Sequence, residues 1–545
     1  MREKMLELAR QLVEIESVNT TAGEKEIGLF IERNIREIPY FQKHPEQVIV
    51  QELEEDVLGR RSVFALLIGE KERKSDTILF HGHTDTVGIE DFGSLIDVAC
   101  KPLELEKRLY EVPLPREVRE DLESKEYMFG RGACDMKSGD AVFLGILEEL
   151  AADVANLSGN ILLSLNPVEE NLHTGIIQGL DVLLKLRETY ALDYKLAINN
   201  DYICPLYAGD TVKTIYTGTV GKLLPCFYIQ GKETHVGQCF EGFDASLAAA
   251  KLVEKISLNC EFCDSYEGES SLPPSVLKVK DLKPWYNVQT AGDALVYFNY
   301  FVHNSGMEQI TEALLGAAGQ VMQEMKDKIN EQLKRFSEIS GQSFEPCSLD
   351  TRVMTYQQLY QKVLETGALD SSHLNEQVAA MIQQGIREKT DQREIPIAVI
   401  RYLLAAANQK EPTIVLYYGA PYCPHNTLQK EDAHYIEEIE TIAQKITAEY
   451  KEEFRMRKFF PSLSDSSYLK IDDAETSVKL LKDNFPGFGT MYTVPIDQIK
   501  QLNIPAVNYG CYGKDAHKWT ERVHIPYTFG VLPELILETV NYYIR

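Results

Sequence analysis

Five stretches of this 545-residue chain place imidazoles and carboxylates where short apolar runs stop or where glycines turn the backbone. Leu79-Phe80 runs into His81-Gly82-His83-Thr84-Asp85, and an H-x-D step puts an imidazole and a carboxylate on the same side of an extended chain. Asp85 can then accept from the second ring nitrogen of a metal-ligating His83 and fix its tautomer. Leu163 to Asn166 leads into Pro167-Val168-Glu169-Glu170, where adjacent carboxylates face different directions, so one can bind a cation while the other holds a water. Gly130-Arg131-Gly132-Ala133-Cys134-Asp135-Met136-Lys137 is a glycine-flanked turn presenting a lone carboxylate. Ile198 leads through two asparagines to Asp201, and Val507 leads through Gly510 and Gly513 to Asp515-Ala516-His517. Singly, each is an ordinary strand-end or turn residue. Together, two histidines, three single carboxylates and a Glu pair at successive strand ends point to one polar site.

These groups need strands that end on a common edge. Thr77 to Phe80, Asn160 to Leu165, Lys195 to Ile198 and Pro505 to Tyr509 are short apolar runs separated by helical patterns. That alternation predicts an α/β fold, a mostly parallel sheet with helices on both faces, and ligands bind such sheets outside the carboxyl ends of the strands. From about Lys213 the texture changes. A strand-like stretch to Gln230, a helix over Asp244 to Ile256, strands over Ser275 to Val279 and Ala294 to Val302, a helix over Met307 to Phe336 and a strand over Pro412 to Tyr418 predict an inserted α+β lid. Its plan is two helices on an antiparallel sheet. The expected domains are residues 1–212 and 428–545 for the catalytic part and 213–427 for the lid, with a mostly helical embellishment at about 338–411.

Composition removes several function classes. Lys+Arg is 56 against Asp+Glu 83, a net charge of −27 that opposes phosphate backbones and anionic lipid, so neither nucleic acid nor membrane is an expected partner. No run approaches the ~18 apolar residues of a membrane span, and the opening segment reads as a charged amphipathic helix rather than a signal peptide. Ten scattered cysteines with one C-x-x-C, Cys260 and Cys263, predict reduced thiols of a cytoplasmic protein. A dinucleotide enzyme is excluded because no G-x-G-x-x-G follows the first strands.

GHTDTV (Gly82 to Val87), GRGACDMK (Gly130 to Lys137), VEE (Val168 to Glu170), Asp201 and GKDAHK (Gly513 to Lys518) with Glu521 occur in that order. In this the chain resembles the co-catalytic zinc peptidase superfamily of aminoacylase, peptidase T, carboxypeptidase G, acetylornithine deacetylase and succinyl-diaminopimelate desuccinylase. The resemblance covers roughly residues 1–260 and 428–545, and FFPSLSDSSYL (Phe459 to Leu469) with GKDAHKWTERV (Gly513 to Val523) is similar to an arginine-utilization branch. It implies that His83, Asp135 and Asp201 hold one metal and Asp135, Glu170 and His517 the other, with Asp135 bridging. It further implies Glu169 as general base acting on a metal-bridged water and Asp85 as partner of His83. Two borderline cations, Zn²⁺ with Mn²⁺ or Co²⁺ as substitutes, suit an imidazole and carboxylate set.

In the inserted part, Gly231-Lys232-Glu233-Thr234-His235-Val236-Gly237 resembles the family's lid motif, whose His stabilises the transition-state oxyanion, often across a homodimer formed through the lid. His81, His173 and His425 match no family ligand. Many relatives carry an Arg in the lid strand that grips the substrate carboxylate, whereas Val296 to Phe301 has none, so the usual bidentate recognition is missing there. The expected activity is cleavage of a peptide or N-acyl amide bond in a small amino-acid derivative or short peptide, within arginine or amino-acid catabolism. The alternative is a catalytically idle metal-binding relative acting as a regulator or binding module, against which the intact Glu169 and five ligand positions stand.

Overall fold

The computed structural model describes residues 1–343, 345–367 and 369–545. The chain forms two units: Met1–Thr219, Asn426–Ile471 and Pro495–Arg545 make the first, and Val220–His425 with Asp472–Val494 the second.

An eight-stranded sheet runs through the first unit in the order Val48–Glu52, Arg61–Ile68, Asn160–Asn166, Asp76–His83, Asp193–Asn199, Ala506–Asn508, Lys213–Tyr216, Phe454–Arg457. The four strands from Asn160–Asn166 to Ala506–Asn508 are mutually parallel, and the Val48–Glu52 edge is antiparallel. The central strands are buried along nearly their whole length, which is why they read as unbroken apolar runs and not as alternating ones. Helices cover both faces. On one, Val63, Ala65 and Leu67 share a core with the helices Gly23–Glu37 and Ser138–Ala152, where Phe80 stacks on Phe143 with ring centroids 4.7 Å apart. On the other, Phe64 meets Gly179 of helix Thr174–Tyr190 so closely that a Cβ there would lie 3.1 Å from the ring.

The second unit has a six-stranded sheet in the order Ser275–Asp281, Asp293–Val302, Pro225–Gln230, Thr413–Tyr418, Arg352–Thr355, with Gly221–Leu223 joined to Asp293–Val302. All pairs are antiparallel except Arg352–Thr355 beside Thr413–Tyr418. Helices Ala245–Ile256 and Met307–Ser340 belong to it. Tyr356–Glu365, Ser371–Arg387 and Ile395–Ala406 pack on the sheet through a core containing Cys226, Tyr228, Leu295, Val415 and Tyr417, so the described residues of the 338–411 region supply strand Arg352–Thr355 and these helices, after the end of Met307–Ser340.

Two segments fall elsewhere than the 213–427 lid range. Lys213–Tyr216 is fully buried in the first unit's sheet, paired in parallel with Phe454–Arg457. Residues 472–494 join the second unit, where Ser477 Oγ accepts from Met307 N at 3.1 Å and Asn484 O from Tyr418 N at 2.9 Å. Local pattern identifies a strand or a helix but not the sheet that receives it.

Candidate metal centre

His83 is the last residue of its strand, Glu169 and Glu170 follow the end of Asn160–Asn166, and Asp201 follows the end of Asp193–Asn199. Parallel neighbours therefore deliver these groups to one edge. Asp135 comes from the loop between strand Tyr127–Phe129 and helix Ser138–Ala152, and His517 from the turn after Gly513–Lys514.

Asp135 lies between the two imidazoles. Its Oδ1 is 3.0 Å from His83 Nε2 and its Oδ2 is 3.0 Å from His517 Nε2, while His517 Nε2 is also 2.9 Å from Glu170 Oε1. The donor atoms of His83, Asp135 and Asp201 lie within 4.8 Å of one another, and so do those of Asp135, Glu170 and His517. All five expected ligands thus gather in two triads that share Asp135. Burial, followed by Asp135 among their neighbours, raises the carboxyls of Asp201 and Glu170 above the usual range. Burial likewise raises Glu169 well above it, and Glu169 Oε1 has no hydrogen-bond partner among the described residues. Crowded buried carboxylates with imidazoles between them are a donor set that fits divalent cations, because a cation removes the repulsion that opposes their ionisation.

Surrounding residues hold the donors in place. Asp85 accepts from Glu169 N at 2.9 Å, Glu170 N at 3.1 Å and Asn19 Nδ2 at 2.9 Å, so it anchors the backbone of the Glu pair. Its carboxylate stays 3.7 Å from His83 Nδ1, which instead has the Asp85 carbonyl oxygen 3.1 Å away. Glu521 is buried and accepts from Cys134 N at 3.2 Å and Arg131 Nη1 at 2.7 Å, pinning the loop that carries Asp135. Arg131 continues to Asp91 at 2.7 Å. Asp515 and His517 adopt left-handed φ values of 58° and 63°, and Asp515 fixes this turn by accepting from Thr520 Oγ1 at 2.8 Å and pairing with Arg522.

The other histidines singled out by the sequence have separate settings. His81 is fully buried, its pKa is lowered to about 3 by burial, and its Nε2 lies 3.0 Å from Ser466 Oγ, so it is a neutral packed ring. His173 Nδ1 is 3.0 Å from Asp465 Oδ1. His235 belongs to the second unit, where it is exposed and its Nδ1 accepts from Gly237 N at 3.0 Å. His425, also in that unit, has Nδ1 3.0 Å from Asp473 Oδ2. Neither Asp465 nor the anchoring roles of Asp85 and Glu521 can be read from spacing, because each depends on a partner brought in from far along the chain.

A mixed α/β sheet with an inserted α+β unit and two metal-type triads at its strand ends defines a metallohydrolase. The chain belongs to peptidase family M20/M25/M40, whose family model matches residues 79–529. It is 36% identical over 543 residues to Protein RocB of Bacillus subtilis (strain 168), covering 98% of this chain and 94% of that one. It is 31% identical to the uncharacterized protein YqjN of the same organism, covering 99% and 96%. In fold it is similar to the aminopeptidase PepT from Bacillus cereus ATCC 10987, with TM-score 0.52 at 14% identity, covering 99% of this chain and 98% of that one.

Proposed function

We propose that this metallohydrolase cleaves the amide bond of a small amino-acid derivative or short peptide, with two divalent cations held by His83, Asp135, Asp201, Glu170 and His517 and with Glu169 as general base. The observation that carries the reading is Asp135 set between two imidazoles, beside a buried Glu169 whose Oε1 has no hydrogen-bond donor among the described residues. Asp135 would be shared, His83 and Asp201 completing one cation site and Glu170 and His517 the other. Zn²⁺ suits this set, with Mn²⁺ and Co²⁺ as alternatives. When bound, such cations polarise a carbonyl oxygen and lower the pKa of a water.

Glu169 then accepts the proton of the attacking water and hands it to the leaving amine nitrogen. Burial raises its carboxyl well above the usual range, the direction that suits a group that must take a proton and later release it. Asp85 keeps Glu169 and Glu170 turned apart by holding both of their backbone N–H groups. His235 is the candidate oxyanion donor, used within one chain or across a homodimer. The similarity to Protein RocB and the arginine-utilization resemblance favour arginine-related amides. Ten free cysteines support a reducing, cytoplasmic setting, and no described helix is long and apolar enough to cross a membrane.

The test is a panel of N-acetyl amino acids, arginine derivatives and dipeptides offered to Mn²⁺- or Zn²⁺-loaded protein. At least one member is turned over, and Glu169→Gln lowers its kcat by at least ~10²-fold with metal content unchanged. Full activity in Glu169→Gln removes it as the base.

A further inference from the structure

One buried segment reaches the back of the site with three consecutive side chains. Ser464 Oγ accepts from Asn199 Nδ2 at 2.9 Å, Asp465 Oδ1 lies 3.0 Å from His173 Nδ1, and Ser466 Oγ lies 3.0 Å from His81 Nε2. All six side chains belong to buried residues of the first unit. The first and third contacts end on strand residues. The second does not. His173 stands four positions after Glu169, and its Nδ1 is 3.9 Å from Glu169 Oε1, the oxygen that lacks a hydrogen-bond partner among the described residues.

The His173 ring has little freedom to turn. It is fully buried, it lies against Tyr468 with ring centroids 5.2 Å apart, and its backbone, at φ 55°, caps helix Thr174–Tyr190. Asp465 as acceptor places the ring proton on Nδ1, so the same N–H edge that Asp465 holds also faces Glu169. The pairing spans 292 positions of sequence, from a helix cap to the first residue of the short 3-10 helix Asp465–Tyr468. Geometry of this kind fixes a neighbour's orientation when that neighbour must present one oxygen to a reacting water.

We propose that His173, oriented by Asp465, is the positioning residue for Glu169: it holds the carboxylate rotamer that faces the reaction and keeps it there while the proton arrives and leaves. Neither His173 nor Asp465 exchanges a proton with substrate. The proposal rests on the reading of Glu169 as general base. Asp85 holds the Glu169 backbone N–H, and His173 Nδ1 stands 3.9 Å from the far end of its side chain, so the base is flanked at both ends.

The test uses His173→Ala, His173→Asn and Asp465→Asn, alone and combined with Glu169→Gln, in the full-length Mn²⁺-loaded protein and with the panel substrate turned over fastest. His173→Ala lowers kcat about 10–100-fold with KM within about twofold, the usual scale for losing an outer-sphere partner. His173→Asn recovers most of this, because its amide nitrogen sits where Nδ1 sits and Asn accepts a left-handed φ. In the Glu169→Gln background His173→Ala costs nothing further, as expected for groups acting as a unit. A second arm needs no turnover: ¹⁵N NMR of the Zn²⁺-loaded protein shows the His173 proton on Nδ1, displaced in Asp465→Asn and shifted in Glu169→Gln. Unchanged kcat in His173→Ala, effects of His173→Ala and Glu169→Gln that multiply, or a His173 signal blind to Glu169→Gln overturn the proposal. If His173→Ala fails to fold, the contrast between His173→Asn and Asp465→Asn decides. Wild-type protein that turns over nothing in the panel refutes the functional reading instead, and the NMR arm still judges the His173 geometry.

Discussion

At the scale of single residues, the carboxylates divide the work by what surrounds them. Asp135 gives one oxygen to each imidazole, while Asp85, equally buried, spends its oxygens on backbone and amide donors. Burial opposes ionisation of Asp85, but His83, Asn19 and the Glu169 N–H together hold its carboxyl below the usual range. In Asp85→Asn one acceptor oxygen becomes an NH₂ facing an N–H donor, so the Glu169-Glu170 turn loses an anchor. We expect metal affinity and kcat each to fall about 10–100-fold with the fold retained, measured by metal titration and circular dichroism. Unaltered metal affinity would show that the Glu pair needs no such anchor. The Asp85 signal was visible as H-x-D, and His83 Nδ1 does lie 3.7 Å from its carboxylate, but the backbone donors it also holds were not legible. Spacing pointed to His83 Nδ1, and the folded turn brings the Glu169 and Glu170 amides closer to the carboxylate.

At the scale of elements, the second helix, Gly23–Glu37, holds the turn before it through Glu24, whose Oε2 accepts from Thr20 N at 2.7 Å and from Arg60 at 3.1 Å. Burial first, then the charge of Asp85, push the Glu24 pKa up from 4.5 to about 7. A carboxyl whose folded pKa is raised contributes stability that is fully present below its unfolded pKa and lost as pH rises through the folded value. The melting temperature of metal-free protein should therefore fall between about pH 4.5 and 7 on account of this group, and Glu24→Gln should fall less steeply over the same window. Identical slopes for both proteins would contradict the assignment. The strands that matter most here were legible, because Asp76–His83, Asn160–Asn166 and Asp193–Asn199 lie mid-sheet and show as apolar runs ending in polar groups. Lys213–Tyr216 and residues 472–494 were not, since a buried strand or amphipathic helix carries no mark of its sheet. Asp465 was equally hidden: a buried polar pair spanning 292 positions leaves no local periodicity.

At the scale of the whole molecule, the first unit carries every proposed metal ligand and the base, and the second carries the lid motif. The chemical task proposed for the second unit is a donor for the tetrahedral oxyanion from His235. His235→Ala should leave metal occupancy and melting temperature unchanged and lower kcat roughly 10²–10³-fold, the usual loss for one such donor. If the donor crosses a dimer, mixing His235→Ala with Glu169→Gln chains restores partial activity, and no restoration despite subunit exchange assigns it to its own chain. Wild-type rates in His235→Ala return this exposed histidine to a structural role. Elemental analysis of reconstituted protein tests most directly whether two triads sharing Asp135 hold two cations. About two divalent ions per chain are expected in wild type, one weakened in each of His83→Ala and His517→Ala, and both weakened in Asp135→Ala. Protein that binds no divalent metal under any loading condition, or Asp135→Ala that keeps both ions at wild-type affinity, would contradict it.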